Sequence, residues 1–225
     1  VLVKDIAFGG NSYPELMTTL GTQLIFRADD GVAGFELWKS DGTTAGTVLV
    51  KDIQAGLGTS TPTSLTAVGT TLFFVADNGS GTNRELWKSD GTTAGTVLVK
   101  DIQVGVGTST PSNLTNVNGP LFFTADAGTG NGHELWKSDG TAAGTVLVKD
   151  IFPGTSTSGP SNLMNVNGTL FFSATDGVNG AELWKSDGTA AGTVLVKDVR
   201  AGSDSSAAQS LTNVNGTLFF VANDA

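Results

Sequence analysis

Four near-identical copies of one segment constrain the fold of this chain more than any other feature. The segment ELWKSDGTTAGTVLVKDI occupies 36–53 and 85–102, and close variants occupy 134–151 and 182–199. The four tryptophans inside these copies are 49, 49 and 48 residues apart. A period in this range is typical of repeat architectures such as β-propellers, in which each unit forms one four-stranded blade.

Each repeat contains four short apolar segments separated by turn residues. In the unit at 112–151 they are NLTNV (113–117), LFFTAD (121–126), ELWKSD (134–139) and TVLVKDI (145–151). Asn-Gly pairs between the first two segments are the strongest short-range signal for a tight hairpin, because both residues tolerate a positive φ. No segment shows the spacing of an amphipathic helix. The pattern predicts an all-β fold, a β-propeller built from four-stranded blades of about 48 residues.

The repeat predicts a single propeller-type domain over 1–225. Its approximate units are 7–53, 54–102, 103–151 and 152–199, with a further unit in which 1–6 joins 207–225. That further unit has no ELW segment. Two interpretations stay open: a five-bladed ring that lacks one strand, or a segment of a longer propeller array. The second is favoured, because an absent inner strand would leave ladder groups unpaired at about 1–3 kcal/mol each.

Charge and cysteine content exclude several classes of partner and site. The net charge of −9 makes nucleic acid an unsuitable partner. The absence of cysteine excludes disulfides and thiolate metal sites. No run of 18 apolar residues is present, so no membrane span is expected.

The nine lysines lie at only two repeated sites. These are the VKD site (Lys4, Lys51, Lys100, Lys149, Lys197) and the ELWK site (Lys39, Lys88, Lys137, Lys185). Lysine on an edge strand discourages pairing with another chain. The regular placement therefore predicts a structural, solubilising role.

Two of the loops differ between the copies, whereas the other turns hardly change. One joins the second and third strands, at 30–35, 78–84, 127–133 and 176–181. The other leads to the next unit, at 7–14, 54–62, 103–111, 152–160 and 200–208. In an up-and-down sheet both loops leave from the same end, and loops on a rigid scaffold commonly carry function. We therefore expect this end to bind a ligand, through Phe35, Arg84, His133, Asp30 and Asn131.

Two alternatives to that interpretation stay open. The loops could differ simply because they drift without a function. The invariant end could instead bind a repeated ligand, since presenting one site several times raises avidity.

Aspartates follow many of the strands and raise the question of calcium. Asp29, Asp77, Asp126 and Asp176 come after the second strands, and a further set follows the fourth strands (Asp5, Asp52, Asp101, Asp150, Asp198). Carboxylate and loop carbonyl oxygens are the ligands that Ca²⁺ prefers. However, the dense spacing of an EF-hand loop is absent, and aspartate in turns usually bonds its own backbone. Calcium is a weak candidate, and no other cofactor is expected.

Catalysis is not expected from this composition. His133 is the only histidine, and without cysteine there is no partner for a nucleophile–base pair or a zinc site. The residues that occur once among the copies show no recognisable catalytic spacing: Tyr13, Glu15, Arg27, Asp30, Arg84, His133, Arg200 and Asp204. Paired carboxylates formally allow a glycosidase, which ranks below a binding role. The tryptophans could stack on sugars, but aromatic residues in a repeated strand more often pack between sheets.

The segment ELWKSDGTTAGTVLVKDI, with NVNGTLFFVA upstream of it, resembles the bacterial ELWxxDGT-repeat proteins. The resemblance covers nearly the whole chain. It implies β-propellers of large secreted or cell-surface proteins, and it transfers no catalytic residues. We therefore expect a non-catalytic extracellular binding or display module, lectin-like or protein-binding, with carbohydrate or protein at the cell surface as partner. The alternative is a structural element of a bacterial surface layer or filament that self-associates.

Overall fold

The computed structural model describes residues 1–79, 84–105, 107–128 and 130–225. These residues form eighteen β-strands and no helix, which confirms the all-β prediction. Strands that follow one another pair antiparallel, giving four sheets of four strands and one two-stranded hairpin. No helical segment that could cross a bilayer occurs in this part of the chain.

The strand boundaries repeat from sheet to sheet. Sheet one contains β1 (Glu15–Leu20), β2 (Gln23–Asp29), β3 (Phe35–Ser40) and β4 (Val48–Lys51). Sheet two contains β5 (Thr63–Val68), β6 (Thr71–Asp77), β7 (Arg84–Ser89) and β8 (Val97–Lys100). Sheet three contains β9 (Ser112–Asn116), β10 (Leu121–Asp126), β11 (His133–Ser138) and β12 (Val146–Lys149). Sheet four contains β13 (Ser161–Val166), β14 (Thr169–Thr175), β15 (Ala181–Ser186) and β16 (Val194–Lys197), and the hairpin contains β17 (Gln209–Val214) and β18 (Thr217–Val221).

The chain divides into two compact units between the second and third repeats. Unit 1, Val1–Thr110, holds sheets one and two, and unit 2, Pro111–Ala225, holds sheets three and four and the hairpin. Within each unit, every complete repeat forms its own four-stranded antiparallel sheet, as the sequence predicted.

The cross-strand register is the same in all four complete sheets. The phenylalanine of each second strand faces the tryptophan of the third: Phe26↔Trp38, Phe74↔Trp87, Phe123↔Trp136, Phe172↔Trp184. All four tryptophans are at most 8% exposed, so the core-packing interpretation is correct for them and the sugar platform is wrong.

Neighbouring sheets bury their apolar faces against each other inside each unit. In unit 1, Ile25 and Leu37 of sheet one form a core with Phe74 of sheet two. In unit 2, Leu135 of sheet three packs in a core with Phe172 of sheet four. Burying such side chains stabilises the fold by about 1.5–3 kcal/mol each. A single sheet could not bury both faces of its second strand alone.

The predicted fourth strand at Val1–Ile6 is not formed. A strand needs a neighbour for its ladder, and this segment has no third strand beside it in the described residues of unit 1. It nevertheless lies on sheet one as β4 lies on sheet two. Lys4 Nζ donates to Thr47 O at 2.7 Å, and Lys51 Nζ donates to Thr96 O at 2.8 Å.

Lysines at both repeated sites join adjacent sheets. Their ammonium groups donate to carbonyl oxygens of the following repeat in Lys39 to Gly91, Lys137 to Gly188 and Lys149 to Thr193. These bonds give these lysines, as well as Lys4 and Lys51, a structural role, as predicted, but the role is to join adjacent sheets. Each partly buried ammonium satisfies a carbonyl that a turn leaves without a partner.

Candidate functional site

A buried glutamate in each third strand fastens the loop that leads to the next repeat. Both carboxylate oxygens of Glu36 accept bonds: Oε1 from the amide of Ser60 at 3.0 Å and Oε2 from its hydroxyl at 2.5 Å. The amides of Ile53 and Gln54 donate to the same carboxylate. Glu36 and Ser60 are both 0% exposed. We call this pair of bonds from one serine to one glutamate the glutamate–serine clasp. It recurs in Glu85–Ser109, Glu134–Ser158 and Glu182–Ser206.

Burial raises the pKa of the carboxyls of Glu36, Glu85 and Glu134 above the ordinary 4.5. The bonds from the serines and backbone amides work in the opposite direction but do not cancel it. A carboxyl of raised pKa in a cleft can mark a catalytic acid. Here each one is enclosed and fully engaged by its own loop, so it is structural.

The Asp-Gly-Thr turns are also internally bonded. Asp90 Oδ1 accepts bonds from the amide and the hydroxyl of Thr92, at 2.9 and 2.7 Å. A Cβ on Gly95 would lie 2.0 Å from that oxygen, so only glycine fits. Ser89 Oγ and Thr96 Oγ1, 2.7 Å apart, close the turn. The repeated polar residues are thus used by the scaffold, and binding residues must be sought among those that differ.

The two variable loops of a repeat lie against each other, as their predicted common end requires. A Cβ on Gly34 would lie 2.2 Å from Gly58 O, and the amide of Phe35 donates to Thr59 Oγ1 at 3.1 Å. The same approach recurs between Gly132 and Ser156. The predicted loops at 78–84, 103–111 and 127–133 lie partly outside the described residues.

In unit 1, residues that differ between the repeats gather around Phe35. The guanidinium of Arg27 lies over the Phe35 ring, 5.2 Å from its centroid, and forms an ion pair with Glu15. The Tyr13 ring lies 6.4 Å from the Phe35 ring and is 59% exposed. Sequence analysis singled out Phe35 as a ligand contact. The spacing of Tyr13, Glu15 and Arg27 in the sequence does not predict that they lie together.

Arg84 adds a second guanidinium to this cluster. It donates to Thr61 Oγ1 at 2.8 Å, to Thr61 O at 3.2 Å and to Thr63 Oγ1 at 2.7 Å. Burial lowers the pKa of Arg84, the charge of Asp77 opposes that change, and the nearby positive charge of Arg27 adds to it. We call Tyr13, Glu15, Arg27, Phe35 and Arg84 the aromatic–arginine cluster. It combines an exposed ring with two cations at the variable-loop end.

In unit 2, His133 lies at the equivalent position and lines a small cavity. The cavity has a volume of about 240 Å³ and is also lined by Ser112, Asn113 and Thr124. Ser112 Oγ and Thr124 Oγ1 are 2.7 Å apart, so the serine hydroxyl is engaged by another neutral hydroxyl.

The remaining predicted site residues do not join these groups. Asp30 Oδ1 accepts bonds from the amides of Val32 and Ala33, so it shapes its own loop. Asn131 is partly buried beside the His133 strand. Arg200 and Asp204 pair with each other, at 3.1 Å.

The weak calcium candidates also bond turn amides. Asp29, Asp77, Asp126 and Asp176 accept from Gly31, Gly79, Gly128 and Val178 respectively. The placement of Asp176 beside the other three is wrong, because Thr175 pairs with Ala181 as Asp29 pairs with Phe35. Asp176 instead corresponds to Asp30. Among the described residues no group of three His, Cys, Asp or Glu side chains could hold a metal ion.

The invariant end carries a repeated recess of its own. In unit 2, one recess of about 270 Å³ lies beside Lys137 and Asp139, and another of about 350 Å³ lies beside Lys185 and Asp187. A recess of about 320 Å³ occurs beside Asp90 in unit 1. A ligand that binds once per repeat could therefore occupy these recesses. The side chains that line them, however, already form hydrogen bonds within their own turns.

No protein-family model matches this chain, and no curated protein matches it. Among solved structures, the crystal structure of a puromycin hydrolase S511A mutant complexed with PGG is similar to 94% of this chain, with a TM-score of 0.49 and 15% sequence identity. This chain covers 33% of that one. A likeness of this degree assigns neither a chemistry nor a partner.

Proposed function

We propose that the chain is a propeller-type repeat module of the ELWxxDGT kind that acts outside the cell as a non-catalytic, lectin-like binding domain. The observation that carries the proposal is the division between repeated and differing residues. The repeated Glu, Ser, Asp and Lys side chains bond loops, turns and neighbouring sheets. The aromatic–arginine cluster consists of side chains that differ between the repeats, and it includes an exposed ring.

The cluster suits a carbohydrate for a physical reason. An exposed tyrosine ring offers a rigid apolar face at low entropic cost. Arg27 and Arg84, held by Glu15, Thr61 and Thr63, place positive charge beside that face. The Tyr13 backbone already has a φ of 42° and its hydroxyl accepts from Asn11 Nδ2 at 3.2 Å, so the ring is held in place. A protein surface with an exposed acidic or hydroxyl-rich loop has the same complementarity.

A glycan array on the intact chain, together with solution size measurement, tests the proposal. We expect a monodisperse monomer that binds a subset of glycans, and a Tyr13→Ala variant that loses this binding. The matched control is Phe219→Ala, because Phe219 is 58% exposed and Tyr13 59%. Equal loss in both variants, or no glycan or protein ligand for the monomer, would overturn the assignment.

A structural role in a surface layer or filament is the second candidate function. It is favoured by the near-identity of the repeats and by lysines that bond each repeat to carbonyl oxygens of the following one within a unit. Concentration-dependent polymer without any soluble ligand would support it over the lectin-like role.

A further inference from the structure

Two of the three arginines of the chain, Arg27 and Arg84, come close together in unit 1. Burial lowers the pKa of Arg84, and the positive charge of Arg27 lowers it further, although the charge of Asp77 opposes the change. The strand register places Val75 of sheet two where sheet one has Arg27, and Phe35 of sheet one where sheet two has Arg84. The repeat itself therefore requires neither cation.

Only one of these two cations has a carboxylate in direct contact. Arg27 forms an ion pair with Glu15, whose side chain is 47% exposed. Arg84 donates to the neutral oxygens of Thr61 and Thr63, and among the described residues no carboxylate forms an ion pair with it. Neither arginine is fully buried. In a chain of net charge −9, this cluster is thus a local site of positive charge that an anion can approach.

The charge lies close to the exposed aromatic ring of the same cluster. Arg27 lies over the Phe35 ring, and the Tyr13 ring is beside the other side chain of that pair, 6.4 Å from the Phe35 ring. An apolar face and a cation therefore flank one phenylalanine. A short oligosaccharide that carries a negative charge can contact both.

We propose that the ligand of the aromatic–arginine cluster is an acidic glycan, with its carboxylate held by Arg27 and Arg84 and a sugar ring on Tyr13. The proposal rests on the lectin-like function proposed above and narrows its ligand class. The planar guanidinium presents its donors in a fork that matches the two oxygens of a carboxylate. Glu15 already makes a carboxylate contact with Arg27, so a carboxylate of the ligand competes with it.

Binding of acidic glycans and of their carboxyl methyl esters to the intact chain tests the proposal. The probes are oligomers of galacturonic acid, hyaluronan fragments and sialylated oligosaccharides, each beside its methyl ester, which keeps the sugar ring and removes the charge. We expect at least one acidic probe to bind and its ester to bind about tenfold more weakly. Added salt should weaken the binding of the acid and leave that of the ester unchanged.

Variants of the chain assign the effect to this cluster. Glu15→Gln should tighten binding of the acidic probe about threefold and leave its ester unaffected, because the competing carboxylate is removed. Arg84→Gln should weaken binding of the acid about tenfold, with a thermal melt to show that the fold is retained. Arg200→Gln is the matched control, because it removes the same charge from an arginine of unit 2 that pairs with Asp204, and it should bind normally.

The outcomes separate this proposal from the lectin-like function on which it rests. Esters or neutral glycans that bind as tightly as the acids, a preference for sulfated sugars, or unchanged binding in Glu15→Gln and Arg84→Gln would overturn the acidic ligand and leave the lectin-like role intact. Binding of acidic peptides without any glycan, or of no glycan at all, would overturn both.

Discussion

Glu85 and Ser109 are joined by two hydrogen bonds across 24 residues of sequence, one from the serine amide at 2.9 Å and one from its hydroxyl at 2.5 Å. The glutamate lies in a buried strand, and the serine lies in the loop that leaves the same sheet. Such a bond pair holds the loop against its own sheet. It makes the start of each repeat depend on the repeat before it.

Replacing Glu85 by glutamine should destabilise the chain by about 1–3 kcal/mol. Glutamine keeps the volume, but its NH₂ group would face a buried amide of Ile102 or Ser109 that donated to a carboxylate oxygen, whereas a protonated carboxyl keeps an oxygen at both positions. A buried donor therefore loses its partner. Chemical denaturation followed by circular dichroism measures the change. Glu15→Gln is the control, because Glu15 has a side chain 47% exposed and its ion pair contributes little. Equal stability of both variants would contradict a stabilising role for the bonds between Glu85 and Ser109.

Stability should rise as the pH falls from neutral toward 4.5. Burial raises the pKa of Glu36, Glu85 and Glu134 above 4.5 in the folded chain, so the folded state binds more protons than the unfolded state in that range. Stability contributed by their neutral forms is therefore lost as pH rises through the raised values.

Below 3.8 the trend should reverse. Hydrogen bonds from Thr43 and Thr92 lower the pKa of Asp41 and Asp90 below 3.8, and that stability disappears as these groups become protonated. Thermal melts over this range should show a maximum in mild acid. Exchanging Glu36, Glu85 and Glu134 for glutamine should make the melting temperature less dependent on pH between this maximum and neutrality. A melting temperature that only falls on acidification would refute the expectation.

Much of the fold could be predicted because local signals and the repeat agree. The second strand of sheet three lies at Leu121–Asp126, as predicted, and the third begins at His133, one residue early. Asn-Gly turns and alternating apolar residues fix these hairpins locally. In contrast, the first strands contain a residue with φ near 55° that is Leu16 in one repeat and Asn113 in another. Because the residue type at this position differs between repeats, the sequence does not predict the distorted backbone.

The candidate site could be predicted only in part, since its residues come from separate strands. Phe35 and Arg84 stood out because they occupy the same position in different copies. Arg27 replaces Val75 and Thr124, but the stacking on Phe35 follows from register and not from spacing. The bonds between glutamate and serine have a signal in the sequence: a charged residue lies within an apolar strand, and a serine always follows 24 residues later.

Gly95→Ala should destabilise unit 1 by about 1–3 kcal/mol, because the new Cβ would overlap an oxygen of Asp90 that two bonds hold in place. The cost should shrink in an Asp90→Ala background, where the overlap is removed, and a double-mutant cycle measures that coupling. Gly10→Ala is the control, since its Cβ would meet Ala7 at 3.9 Å. Additive effects would show that the glycine has another role.

Tyr13→Gly should separate the fold from the binding function. Tyr13 has a φ of 42°, a conformation that glycine adopts freely and that Gly159 adopts at the equivalent place in a later repeat, with a φ of 53°. Relief of this strain offsets the lost packing on Phe35, so the free energy of unfolding should change by about 1 kcal/mol at most. Ligand binding at the aromatic–arginine cluster should nevertheless disappear, because the exposed ring is the contact surface. Titration of the variant with the glycan that the unmodified chain binds, alongside its denaturation curve, measures both quantities. Retained binding would place the ligand elsewhere, and a collapse of stability would make Tyr13 a structural residue.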